Sequence, residues 1–78
     1  MKRVTVQLCS ISDIKKFVNI ANRFSFDIDL TSGRYVVDAK SIMGIFSLDL
    51  SKPIQVEIHN NECDEFLKET EQFFVKEA

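Results

Sequence analysis

The sequence predicts an α+β fold, an antiparallel sheet with helices covering one of its faces. Three observations lead there. Four short segments alternate apolar and polar residues with period two, the mark of half-buried strands. Three others space their apolar residues at three and four, as amphipathic helices do. The chain has 78 residues, enough for one domain over 1–78 but not for two cores. The predicted order is β-α-β-β-α-β-α, with no repeats, low-complexity tracts or linkers.

Val4, Val6 and Leu8 alternate with Arg3, Thr5 and Gln7, which makes the first strand. Ser10, Ser12 and Asp13 then offer side-chain oxygens for a helix N-cap. Ile14, Phe17, Val18, Ala21 and Phe24 form the apolar stripe of that helix, with Lys15, Lys16, Asn19, Asn22 and Arg23 turned outward. Phe26, Ile28 and Leu30 alternate with Asp27, Asp29 and Thr31 in a second strand. A turn at Ser32-Gly33 leads back along Tyr35 to Val37, because glycine accepts positive φ without a Cβ penalty.

Ser41 stands where the second helix begins. Ile42, Ile45 and Phe46 repeat at three and four, Gly44 and Ser47 keep the helix short, and Pro53 blocks any continuation. Ile54, Val56 and Ile58 alternate with Gln55, Glu57 and His59 in the fourth strand, which turns His59 toward solvent. Asn60 and Asn61 make the next joint. Phe66, Leu67, Phe73 and Phe74 give the last helix its stripe. Glu62, Asp64 and Glu65 crowd its positive end, Asp64 and Lys68 pair at i,i+4, and Lys76 sits near its C-terminus.

Composition narrows the function classes. Hydrophobic residues are 45% and charged residues 28%, a globular balance, and seven Phe with no Trp predict a phenylalanine-rich core. A net charge of −2 without a basic stripe argues against nucleic acid as a partner. No apolar run approaches the ~20 residues of a membrane span, and the start lacks a signal peptide's apolar region, so a cytoplasmic location away from membranes is expected. Cys9 and Cys63 fit no metal-binding spacing, and no cofactor or metal is predicted. Cys9 is read as a small buried side chain.

The run Asn22-Arg23-Phe24-Ser25-Phe26-Asp27-Ile28-Asp29-Leu30, a glycine turn, and then Lys40-Ser41-Ile42-Met43-Gly44-Ile45-Phe46-Ser47-Leu48 carries a resemblance. It is similar to HPr, the histidine phosphocarrier family of the sugar phosphotransferase system, in a pattern closest to the catabolite-repression HPr-like branch. The resemblance implies an open-faced sandwich: a four-stranded antiparallel sheet covered on one face by three helices, with the first and fourth strands adjacent. That arrangement would separate Cys9 and Cys63 by roughly 20 Å, too far for a bridge.

In the family, the phosphorylated histidine opens the first helix and is followed by any residue, then Arg-Pro. Counting back from Phe24 without a gap places the histidine position on Ser10, the arginine position on Ser12 and the proline position on Asp13. The one histidine, His59, lies far away in sequence. A serine phosphate is a stable ester that does not pass its phosphoryl group onward, and Asp13 would repel it. Ser10, Ser12 and Asp13 are therefore read as capping residues, and no catalytic residue or enzymatic activity is assigned.

Ser41 matches the serine that the family's ATP-dependent kinase modifies. It is read as an N-cap, and the resemblance adds regulatory phosphorylation, with Lys40 beside it. Ile42, Met43 and Phe46, with Lys40, match an apolar docking patch of HPr relatives. A helix this short cannot bury Ile42, Met43, Ile45, Phe46 and Leu48 together. The expected function is a regulatory or adaptor protein of the phosphotransferase type. The alternative is a divergent phosphocarrier of the phosphoenolpyruvate-dependent system. The expected partners are proteins: an HPr kinase, a transcriptional regulator or phosphotransferase enzymes. A monomer or weak homodimer is expected.

Overall fold

The computed structural model describes residues 2–75. The first alternating segment forms strand β1 (Lys2–Val6), and helix α1 (Ile11–Asn22) follows it. Strands β2 (Ile28–Ser32) and β3 (Tyr35–Asp38) make a hairpin, and the short helix α2 (Ile42–Phe46) leads to β4 (Ile54–Ile58). Helix α3 (Asp64–Thr70) runs into a 3₁₀ turn, Glu71–Phe73. The four strands lie in the order β1-β4-β2-β3, every neighbouring pair antiparallel, with the helices on one face.

Register follows burial. Val56 faces Val4 on one side and Leu30 on the other, while Ile54 faces Val6. These side chains share the helix-covered face because strand side chains alternate. Ile54, Val56 and Ile58 are completely buried, while Gln55 and His59 are exposed. A one-residue slip would send all three isoleucine and valine side chains into water, so the central register is strongly specified. Against this face α1 lays Ile14, Phe17, Val18 and Ala21, with Ile20 buried as well. Phe24, the fifth residue of the predicted stripe, lies beyond the helix end and is only partly buried.

Phenylalanines tie the helical layer together. The Phe66 ring of α3 meets Phe17 and Phe24 edge-on at centroid distances of 6.1 and 5.4 Å, and Phe26 at 6.2 Å. Phe17 in turn meets Phe73 at 5.8 Å. Such edge-to-face pairs place the positive ring edge on the negative face. The phenylalanine-rich core is as expected, and α1 and α3 are joined through it. An ion pair of Arg23 with Glu69 closes the outside of the same seam.

Several details differ from the sequence reading. Strand β1 stops at Val6, short of Leu8, and β2 begins at Ile28, past Phe26. The two-residue hairpin loop is Gly33-Arg34 and not Ser32-Gly33, because Ser32 still pairs with Tyr35; Gly33 carries the positive φ of 59°. The last helix is shorter than its stripe suggests. Thr70 is buried and its hydroxyl donates back to the Phe66 carbonyl at 2.8 Å, after which the helix tightens and stops. Phe74 then pairs with Val6, Gln7 N–H donates to the Phe73 carbonyl at 2.8 Å, and Val75 N–H donates to the Thr5 carbonyl at 3.0 Å. The chain end thus satisfies backbone groups that an outer strand leaves open.

Asp64 and Lys68 do not form the expected ion pair: among the described residues the salt bridge on α3 joins Glu69 to Arg23. Spacing permits an exposed i,i+4 pair but enforces none. Finally, Cys9 is exposed, because it lies in the loop between Leu8 and the α1 cap and not in β1. Cys63 is buried and both thiols are free. Lys76 lies outside the described residues.

Candidate functional site

Two helix starts hold the sequence-predicted residues, and they are built differently. At α1, Ser10 is the N-cap and its hydroxyl accepts the Asp13 N–H at 3.1 Å. The Asp13 carboxylate accepts the Cys9 N–H at 3.1 Å, a reciprocal arrangement one residue longer than the usual capping box. An acid therefore already occupies the positive end of this helix. Ser12 is exposed in the first turn, and Ile11 beside it is 60% exposed. Ile11 falls three and seven residues ahead of Ile14 and Val18, on the side of the apolar stripe, so periodicity alone does not reveal its exposure at the first residue of α1.

At α2, Ser41 is the N-cap, and its hydroxyl accepts the Gly44 N–H at 3.2 Å. No acidic residue lies in the first turn, and Ser41 itself is exposed. The close approach of α2 to the sheet rests on Gly44. A Cβ there would meet the Val37 side chain at 3.2 Å and the Ser41 hydroxyl at 3.3 Å. A larger residue would push either the sheet or the cap.

The five-residue helix divides its apolar residues as its length requires. Ile45 and, just beyond the helix, Leu48 enter the core, Ile42 packs half-buried against it, and Met43 and Phe46 remain 75% and 43% exposed. Lys40 belongs elsewhere than the sequence grouping suggests. Its ammonium donates to the Phe24 carbonyl at 2.8 Å, pinning the α1–β2 connection to the β3–α2 turn. Its N–H donates to the Asp38 carboxylate at 2.8 Å.

Helix α1 packs directly on α2, and the Gln7 amide donates to the Leu50 carbonyl at 3.2 Å, tying the loop before α1 to the loop after α2. In that second loop the Ser51 hydroxyl and N–H hold the Asp49 carboxyl below its ordinary 3.8, and Lys52 adds a smaller attraction. His59 lies at the end of β4, where its ring contacts the Asp29 carboxylate at 3.0 Å. It lies just past the strand and caps neither helix start, where Ser10 and Ser41 stand. Among the described residues no cluster of His, Cys, Asp and Glu is arranged to hold a metal ion, and no helix is long and apolar enough to cross a membrane.

A family model described as the PTS HPr component phosphorylation site matches residues 13–75. The chain belongs to the HPr family. It is an HPr-like protein of the phosphotransferase system, a family whose members work with other proteins of that system. The matched span opens at Asp13, so Ser10 and Ser12 lie just ahead of it.

Solved structures of HPr proteins share the fold. The phosphocarrier protein HPr of Bacillus anthracis is 32% identical with a TM-score of 0.71, over 95% of this chain and 94% of that one. An HPr of Thermoanaerobacter tengcongensis is 29% identical with a TM-score of 0.77, over 92% and 89%. The histidine-containing phosphocarrier protein of a Mycoplasma, at 17% identity and a TM-score of 0.70, covers 91% and 86% and shows the common fold alone. No curated protein matches the sequence.

Proposed function

We propose that this HPr-like chain, as a single domain over 1–78, is a non-enzymatic regulatory or adaptor protein of the phosphotransferase type. It works in the cytoplasm through the α2 surface, and Ser41 is its phosphorylation site. The contrast between the two helix starts carries the reading. At α1 a serine stands at the N-cap, and Asp13 occupies the ground that a phosphate would need. At α2 an exposed serine opens an acid-free first turn beside exposed Met43 and Phe46.

A phosphate on Ser41 would meet the positive end of α2, where a dianion is favoured. Partner proteins (an HPr kinase, a transcriptional regulator or phosphotransferase enzymes) would then dock on Met43 and Phe46, with Ile42 shaping the floor. Lys40 contributes by holding the turn ahead of Ser41 in place.

The test treats the protein with HPr kinase plus ATP and, separately, with enzyme I plus phosphoenolpyruvate, and reads intact mass with a true HPr in parallel. The expected result is one stable phosphate from the kinase alone, lost in Ser41→Ala and kept in Ser10→Ala. An acid-labile phosphate from phosphoenolpyruvate would instead establish a divergent phosphocarrier. No added mass in either reaction, with the control modified in both, would remove Ser41 as a kinase target.

A further inference from the structure

The two edges of the sheet are finished differently. Along β1, residues Thr5, Val6 and Gln7 are paired by the chain that follows the 3₁₀ turn. At the other edge lies β3, and among the described residues no strand pairs with its far side. The Ala39 N–H donates to the Ile28 carbonyl at 2.9 Å. Backbone groups of an antiparallel strand face the same neighbour at every second residue, so Val37 and Tyr35 also face β2. Val36 N–H and C=O and the Asp38 N–H therefore point away from the sheet, while the Asp38 carbonyl accepts from Ser41 N–H at 3.0 Å. Tyr35 and Val36 are 69% and 63% exposed on opposite faces, so neither face of the strand is covered there.

The charges along this edge are self-complementary. Val36 and Asp38 lie in β3, and Arg34 is the last residue of the hairpin loop. The Arg34 carbonyl is turned outward because the Tyr35 N–H on the same peptide faces β2. The opposite charges are equally spaced in sequence about Val36. Arg34 forms no ion pair within the described residues, and one Asp38 carboxylate oxygen is engaged only by the Lys40 N–H. A second copy laid antiparallel about a two-fold axis through Val36 sets Arg34 opposite the partner's Asp38, Val36 opposite the partner's Val36, and Tyr35 opposite the partner's Val37. Shifting by two residues sets Val36 against Asp38, and shifting by one turns every side chain to the wrong face.

We propose that the β3 edge is a self-association surface on which two copies join antiparallel, centred on Val36, into one continuous sheet. The Val36 backbone groups exchange hydrogen bonds across the axis, and each Asp38 N–H reaches the partner's Arg34 carbonyl. Two Arg–Asp pairs fix the register. The inference rests on the sheet edge alone and stands apart from the Ser41 reading.

Sedimentation equilibrium from micromolar to millimolar protein, in a Cys9→Ser background that removes the exposed thiol, is expected to show a reversible dimer. Arg34→Asp places acid opposite acid at both symmetric pairs and should weaken the dimer about tenfold. Combining Arg34→Asp with Asp38→Arg should restore it. Val36→Cys should oxidise to a covalent dimer, because hydrogen-bonded antiparallel partners stand about 5.5 Å apart between Cα atoms, within the reach of a disulfide. A monomer at every concentration would overturn the proposal. So would a dimer indifferent to Arg34→Asp, or a Val36→Cys protein that stays reduced while dimeric.

Discussion

Phe66 is where the helical layer is most exposed to a single substitution. Its side chain is fully buried and its ring meets Phe17, Phe24 and Phe26 edge-on. Replacing a buried Phe by Ala typically costs ~3–5 kcal/mol, the transfer loss plus the cavity left behind. A chain of 78 residues at ~0.05–0.15 kcal/mol each has about 4–12 kcal/mol in total, so Phe66→Ala should remove at least about a quarter of it. Phe66→Leu separates two contributions. It keeps most of the apolar burial and loses the ring contacts, each ~0.5–1.5 kcal/mol beyond area, so about 2 kcal/mol should disappear. Urea unfolding read by circular dichroism measures this as a lowered midpoint at unchanged slope. Phe46→Leu is the control, since a ring 43% exposed should change stability by less than about 0.5 kcal/mol. If Phe66→Leu proves equally silent, the aromatic network adds nothing beyond burial and the account of the α1–α3 seam is refuted.

The remaining expectations concern caps, surface and charge. Ser41→Ala and Ser10→Ala each remove a hydroxyl that accepts a helix N–H, and each should cost ~1 kcal/mol in denaturant unfolding. Met43→Ser should leave stability within about 0.5 kcal/mol and, if the α2 surface docks HPr kinase as proposed, weaken binding of that kinase in titration calorimetry. The Asp49 carboxyl is held below 3.8 by Ser51, so its contribution is complete above that value and is lost as pH falls through the lower, folded value. Amide shifts of Ser51 followed by NMR should therefore titrate with a midpoint under 3.8, and a midpoint above it would contradict the turn geometry. Under native conditions an alkylating reagent should label Cys9 and spare Cys63 until the protein unfolds, as mass spectrometry would record.

Much of this architecture was already legible in the order of side chains. Alternation identified the core face of β4 down to Ile54, Val56 and Ile58, because a pleated strand separates odd from even positions wherever it goes. Ser10 and Ser41 are both N-caps in the structure because a side-chain oxygen at that position satisfies a nearby backbone donor through local geometry. The overflow of apolar residues from α2 could likewise be counted in advance, since five helical residues present only one narrow face to a core.

What the sequence could not decide depends on groups brought together from far apart. Phe73 and Phe74 fit a helical stripe as well as they fit a chain end laid beside β1. The open backbone groups of β1 tip that balance, and they exist only once the sheet has formed. Lys40 reads as a charge next to Ser41, yet its ammonium binds a carbonyl 16 positions earlier in the chain. The exposed edge of β3 is visible only after strand order is known, because Arg34, Val36 and Asp38 read as ordinary turn and strand residues until β3 proves to be outermost. Local pattern determined the elements and their buried faces, through interactions between near neighbours in the chain. Tertiary structure decided which backbone edges remained open and which charges found partners, because those outcomes depend on distances that no local spacing encodes.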